Sequence, residues 1–149
     1  MRIAVSDTIA LLQRTPQALA SLLWGLPDVW RRHNEGGESW SAHGVIGRLI
    51  HAERKWTGRL HRVLEFARMR PLNVSELRAL GLKPADLNRR GLHPSLGPVT
   101  LENLLASWVA HDLTHLHQVS RLMAHQVREH AGPWEKNLGV LHCKGHGAT

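Results

Sequence analysis

Apolar residues along the chain recur mostly at steps of three and four, the period of an α-helix, and a few Gly- and Pro-rich stretches break that rhythm. Ser6 and Asp7 offer caps to a first helix whose apolar face begins with Ile9 and Leu12. Thr15 followed by Pro16 predicts a restart, after which helix continues to about Trp24. Gly25 to Ser41 carries Pro27, Asn34, Gly36 and Gly37, a composition that predicts a connecting loop ending in a cap at Ser41. Val45, Leu49, Ala52, Trp56, Leu60 and Val63 then form one stripe, predicting a long core helix of about five turns at 3.6 residues each.

Pro71 interrupts this pattern, and Ser75 to Leu80 gives a short helical signal that Gly81 can end. Lys83 to Pro98 holds Pro84, Gly91, Pro94 and Gly97 and predicts an ordered loop with a short turn near Ala85. Thr100 can cap a last long helix, with Glu102 and Asn103 in its first turn. Its stripe runs through Leu101, Leu105, Trp108, His115, Val119, Leu122 and Gln126, and Gly132 with Pro133 is expected to stop it. The expectation is an all-α protein, a single helical domain over 1–149, with no internal repeat.

Composition narrows the classes. With 42% hydrophobic and 21% charged residues in 149, the chain can bury a core and lacks the polar excess of disordered proteins. No apolar run approaches the roughly 20 residues that span a bilayer, and no secretory leader is read at the start, so a soluble, cytoplasmic protein without membrane attachment is expected. One cysteine, Cys143, excludes an intrachain disulfide. The formal charge of +7 would attract phosphates, but Arg31–Arg32 and Arg89–Arg90 are only short pairs, which disfavours a nucleic-acid role.

The candidate chemistry lies on the last helix. His111 and His115 stand four residues apart and project from neighbouring turns, a spacing that lets two imidazoles grip one metal ion. At about 100° per residue His115 falls within the apolar stripe, His111 at its edge, Asp112 also inward and His117 on the opposite side. Buried imidazoles and carboxylates need hydrogen bonds, paired charge or a cation. Spacing alone leaves both outcomes open, and core histidines satisfied by hydrogen bonds are the commoner one. The run His142-Cys143-Lys144-Gly145-His146 offers soft ligands but no closed zinc site and reads as a mobile tail. No nucleophile turn, phosphate loop or dinucleotide fingerprint is found.

Trp40-Ser41, Leu49-Ile50-His51-Ala52-Glu53 and His111-Asp112-Leu113-Thr114-His115-Leu116-His117-Gln118 resemble motifs of the DinB-like family. Arg14-Thr15-Pro16, Gly25-Leu26-Pro27, His93-Pro94, Val99-Thr100-Leu101 and Trp108-Val109-Ala110 extend the likeness over most of the chain. The resemblance implies a four-helix bundle, often dimeric, holding a divalent metal such as zinc or nickel by three histidines, one from the second helix and two from the last. It makes His111 and His115 ligands. It also implies a metal-dependent enzyme, hydrolase-like or thiol-transferase-like, acting on a small molecule, with Glu53 or Asp112 lining the site.

Two departures limit that expectation. Where the family's first histidine ligand would stand, this chain has Arg48, a permanent cation that cannot donate a lone pair to a metal and would repel one. His51 is a substitute ligand, though it lies farther from the Val45–Leu49–Trp56 face; alternatively Arg48 fills the pocket and pairs with Asp112, and the metal is absent. Glu65 to Leu80 resembles the family's third helix but follows the second almost directly, and a few residues cannot return over some 30 Å of helix. Either the second helix continues toward Met69, or subunits exchange a helix in an intertwined homodimer. The competing function is a non-catalytic helical dimerisation module with a decayed metal site. Interior burial is expected for most of the six tryptophans.

Overall fold

The fold is that of a computed structural model, which describes residues 4–63 and 74–143, the side chains of 56–63 and of residue 76 excepted. The proposed continuation toward Met69, the break at Pro71, and Lys144 onward in the tail lie outside the described residues. The described residues are mostly helical, in keeping with the all-α expectation. In chain order come α1 (Val5–Leu23), α2 (Asp28–Arg32), α3 (Ala42–Val63), α4 (Val74–Ala79), a 3-10 turn (Pro84–Asn88), strands β1 (Arg90–His93) and β2 (Gly97–Thr100), and α5 (Leu101–Gln126). Then follow α6 (Arg128–Ala131), a second 3-10 segment (Gly132–Asn137) and α7 (Gly139–His142).

Several boundaries correct the sequence reading. Helix α1 does not restart at Pro16; it runs through it, because Leu12 before and Leu23 after the proline are both buried and tertiary packing outweighs the lost N–H donor. The expected loop from Gly25 contains α2, with Pro27 at its N-cap, Asp28 in its first turn and Arg31 and Arg32 reaching back to Asp28. The expected loop from Lys83 does turn near Ala85, as a 3-10 segment, and then forms an antiparallel hairpin pairing Arg90 with Thr100 and His93 with Gly97. Gly97 takes φ of 73°, a conformation that suits glycine at the tight return. Helix α5 ends at Gln126, ahead of Gly132.

The caps hold as read. Thr100 Oγ1 accepts from the Asn103 amide at 3.1 Å while Asn103 Oδ1 accepts from the Thr100 amide at 3.0 Å, satisfying two donors reciprocally at the start of α5. Ser41 Oγ accepts from the Gly44 amide at 3.2 Å at the start of α3. Gly81, at φ of 57°, follows α4 and donates its amide to Arg78 O.

The chain divides into two compact units, Met1–Thr15 with Ile50–Asp112, and Pro16–Leu49 with Leu113–Thr149, so the boundaries fall inside α1, α3 and α5. The first unit's core gathers Ile9 and Leu12 of α1, Leu77 of α4, Leu87, and Leu101, Leu104, Leu105, Trp108 and Val109 of α5. The second unit's core gathers Leu23 of α1, Ala42, Val45 and Leu49 of α3, and Val119 and Leu122 of α5. Each buried leucine contributes roughly 2 kcal/mol of apolar burial, which is what fixes the inward face of each helix. Among the described tryptophan side chains Trp108 is buried, Trp30 and Trp40 are half-buried, and Trp24 and Trp134 are 88% and 69% exposed. No helix among the described residues is long and apolar enough to cross a membrane.

Candidate functional site

Along α5 the buried positions stop after Val109 and resume at Gln118, and the polar residues His111, Asp112 and His115 occupy the turns between. His111 and Asp112, in the first unit, have side chains 27% and 14% exposed, and His111 Nδ1 lies 3.7 Å from Asp112 Oδ1. Glu53 of α3 belongs to the same unit. Although the residue is exposed overall, its carboxyl is raised above the ordinary 4.5, first because neighbouring protein partly desolvates the charge and second because the Asp112 carboxylate repels it. Two of the motif carboxylates are therefore electrostatic neighbours. His51, two residues earlier on α3, is exposed while Ala52 beside it is buried, so α3 presents His51 away from its packed face.

His115, in the second unit, is half-buried, and its Nδ1 lies 2.9 Å from Oε1 of Gln118, itself buried one turn later. An amide oxygen only accepts, so in this contact Nδ1 is the donor, and in the neutral ring that places the lone pair on Nε2. This is how an imidazole is oriented when its other nitrogen serves as a ligand or a base. Gln118 belongs to the His111–Gln118 segment but its role is not read from spacing alone; a polar residue three positions after a half-buried histidine is the available signal.

Arg48 on α3 is also in the second unit. Its guanidinium lies over the Trp40 ring, 4.8 Å from the centroid, a cation–π contact that fixes the charge at the start of α3. Beside it opens a cleft of about 400 Å³ lined by Arg32, Asn34, Ser39, Trp40, Ser41 and Arg48. Its wall is an organised loop: Asn34 Oδ1 accepts from the Gly36 amide, Asn34 Nδ2 donates to Ser39 O, and Ser39 Oγ accepts from the Glu35 amide.

A polar cluster that the sequence reading missed secures this loop. Arg121 of α5 donates from Nε to both Glu35 oxygens at 2.7 and 2.9 Å and from Nη2 to Oε2 at 2.6 Å, with both side chains 18% exposed. Arg121 Nη1 also donates to Cys143 O, and Cys143 Sγ stands 3.5 Å from His117 Nε2. Glu35 holds Arg121 firmly protonated. Cys143 follows α7, where Leu141 is buried and His142 Nε2 lies 2.9 Å from Glu135 O. Through Cys143 the chain is thus anchored, which corrects the reading of a mobile tail beginning at His142. Only partners 86 positions apart in sequence make the Glu35–Arg121 pair, and no local pattern announces it.

The structure thus brings Asp112 together with His111 and with Glu53 electrostatically, sets His111 and His115 on consecutive turns of α5, and leaves His51 exposed. Among the described residues no three His, Cys, Asp or Glu side chains gather as a group that could hold a metal ion. Compared with known proteins, the chain matches no family model and no curated protein sequence.

Proposed function

We propose that the chain is a non-catalytic, DinB-like helical module with a decayed metal site, built on a four-helix bundle, in which an arginine has replaced the family's first histidine ligand. The observation that carries this reading is Arg48: a permanent cation, steadied over Trp40, at the position where the resemblance calls for a lone pair. What weighs against a three-histidine set is the exposure of the candidate replacement, His51. Self-association into a homodimer belongs to the same reading, and the exposed Trp24 and Trp134 are the kind of surface it would cover. The test is the metal content of protein purified without chelator and then titrated with zinc or nickel. The reading expects substoichiometric binding; one tightly held ion per chain, lost in His115→Ala, would contradict it.

A second reading keeps the family's chemistry, a metal-dependent hydrolase-like or thiol-transferase-like enzyme with His111 and His115 as ligands. What favours it is the Gln118 contact, which orients His115 as a ligand would be oriented. The same titration separates the two.

A further inference from the structure

The cleft beside Arg48 is lined by two guanidinium groups, one amide, two hydroxyls and an indole, and by no carboxylate. The first turn of α3, which opens onto it at Ser41, also holds no acidic residue. Glu35 and Glu38 both lie in the loop that forms the cleft wall; Glu35 is engaged by Arg121, and Glu38 is exposed and outside the lining. Asp28 Oδ2 lies 3.5 Å from Arg32 Nε, but that pair is solvent-exposed and Asp28 also holds Arg31, so an incoming anion competes with a weak contact. The lining therefore presents two guanidinium groups with neutral donors between them.

From this lining we infer that the cleft binds the phosphate monoester of a small molecule. A monoester carries about −1.5 to −2 charges near neutral pH and three acceptor oxygens, which matches two arginines better than a single carboxylate does. Arg32 and Arg48 hold the phosphate; Asn34, Ser39 and Ser41 supply further donors; and Trp40 forms the apolar wall. The volume of about 400 Å³ exceeds what one phosphate needs and falls within the range of small-molecule sites, leaving room for an organic group. The assignment rests on the reading of Arg48 as a functional cation in place of a metal ligand.

The experiment is calorimetric titration of the full chain with phenyl phosphate, with inorganic phosphate and with benzoate. Saturable binding of phenyl phosphate, one per chain, is expected, with inorganic phosphate competing and benzoate weaker. Arg48→Gln and Arg32→Gln should each weaken it about tenfold or more, the loss of one charge-assisted contact. Arg78→Gln, which removes an equal charge outside the cleft, should leave it unchanged, and helical circular dichroism checks that each variant is folded. No saturable binding, equal affinity in all variants, or benzoate as tight as phenyl phosphate would overturn the assignment. Displacement by an oligonucleotide at matched phosphate concentration would overturn the small-molecule class. Stoichiometric zinc binding by the native chain would sink the proposed function and leave a phosphate result standing; failure of phosphate alone sinks only the ligand class.

Discussion

The raised Glu53 carboxyl has two causes that can be separated. Asp112→Asn removes the repulsion but leaves the burial, so the Glu53 pKa should fall in an NMR titration yet stay above 4.5, because burial is the larger cause. An unchanged value would mean the carboxylates do not face each other. A raised carboxyl binds its proton more tightly in the folded state, so its contribution to stability is greatest below about 4.5 and is lost as pH rises through the folded value. Glu53→Gln should therefore stabilise the fold at neutral pH and lose that advantage in acid, which thermal melts at two pH values would read. His33 and His125 make the opposite case: the rings stack with centroids 5.9 Å apart, while His33 Nε2 and His125 Nδ1 are buried without a hydrogen bond. His125→Phe keeps the stack and removes an orphaned nitrogen, so urea unfolding should show a gain of about 1 kcal/mol; a loss would mean that nitrogen has a partner.

Among the elements, α5 and its caps were the most legible from sequence. Thr100 caps as expected and Asn103 returns a bond that the sequence reading did not foresee; Thr100→Ala should cost about 1 kcal/mol in denaturant unfolding, with no effect counting against the cap. Val45, Leu49 and Ala52 face the core as their spacing required, because a helical stripe reports directly on which side is packed. The hairpin was not legible: Gly91, Pro94 and Gly97 register as turn residues, while the strands have only four residues each and a pairing made across the return, so no two-residue alternation accumulates. Pro16 misled for a related reason. Local propensity penalises it, and the buried leucines on either side decide the outcome. The loop before α3 depends on Glu35 and Arg121; Glu35→Gln leaves a half-buried guanidinium underpaired and should cost roughly 2 kcal/mol, measured by urea unfolding, and a neutral result would show the pair to be incidental.

For the whole molecule, sequence spacing specified which faces are buried but not against what. The stripes of α1 and α5 look continuous in sequence, yet each contributes to two separate cores, whereas Ala42, Val45 and Leu49 of α3 join only the second, and that division depends on partners far apart in the chain. The candidate site was legible in the same partial way: His111, Asp112 and His115 were found from their place on a stripe, whereas Gln118 as the orienting partner and the cleft around Arg48 required tertiary structure. The weight of the functional reading falls on a single cation. The measurement that reaches it most directly is zinc affinity of the native chain beside Arg48→His, under identical conditions and with folding checked. The account predicts that the substitution creates stoichiometric binding which the native chain lacks, by restoring a lone pair and removing a repelling charge. Tight binding by the native chain, undiminished or weakened in Arg48→His, would contradict it.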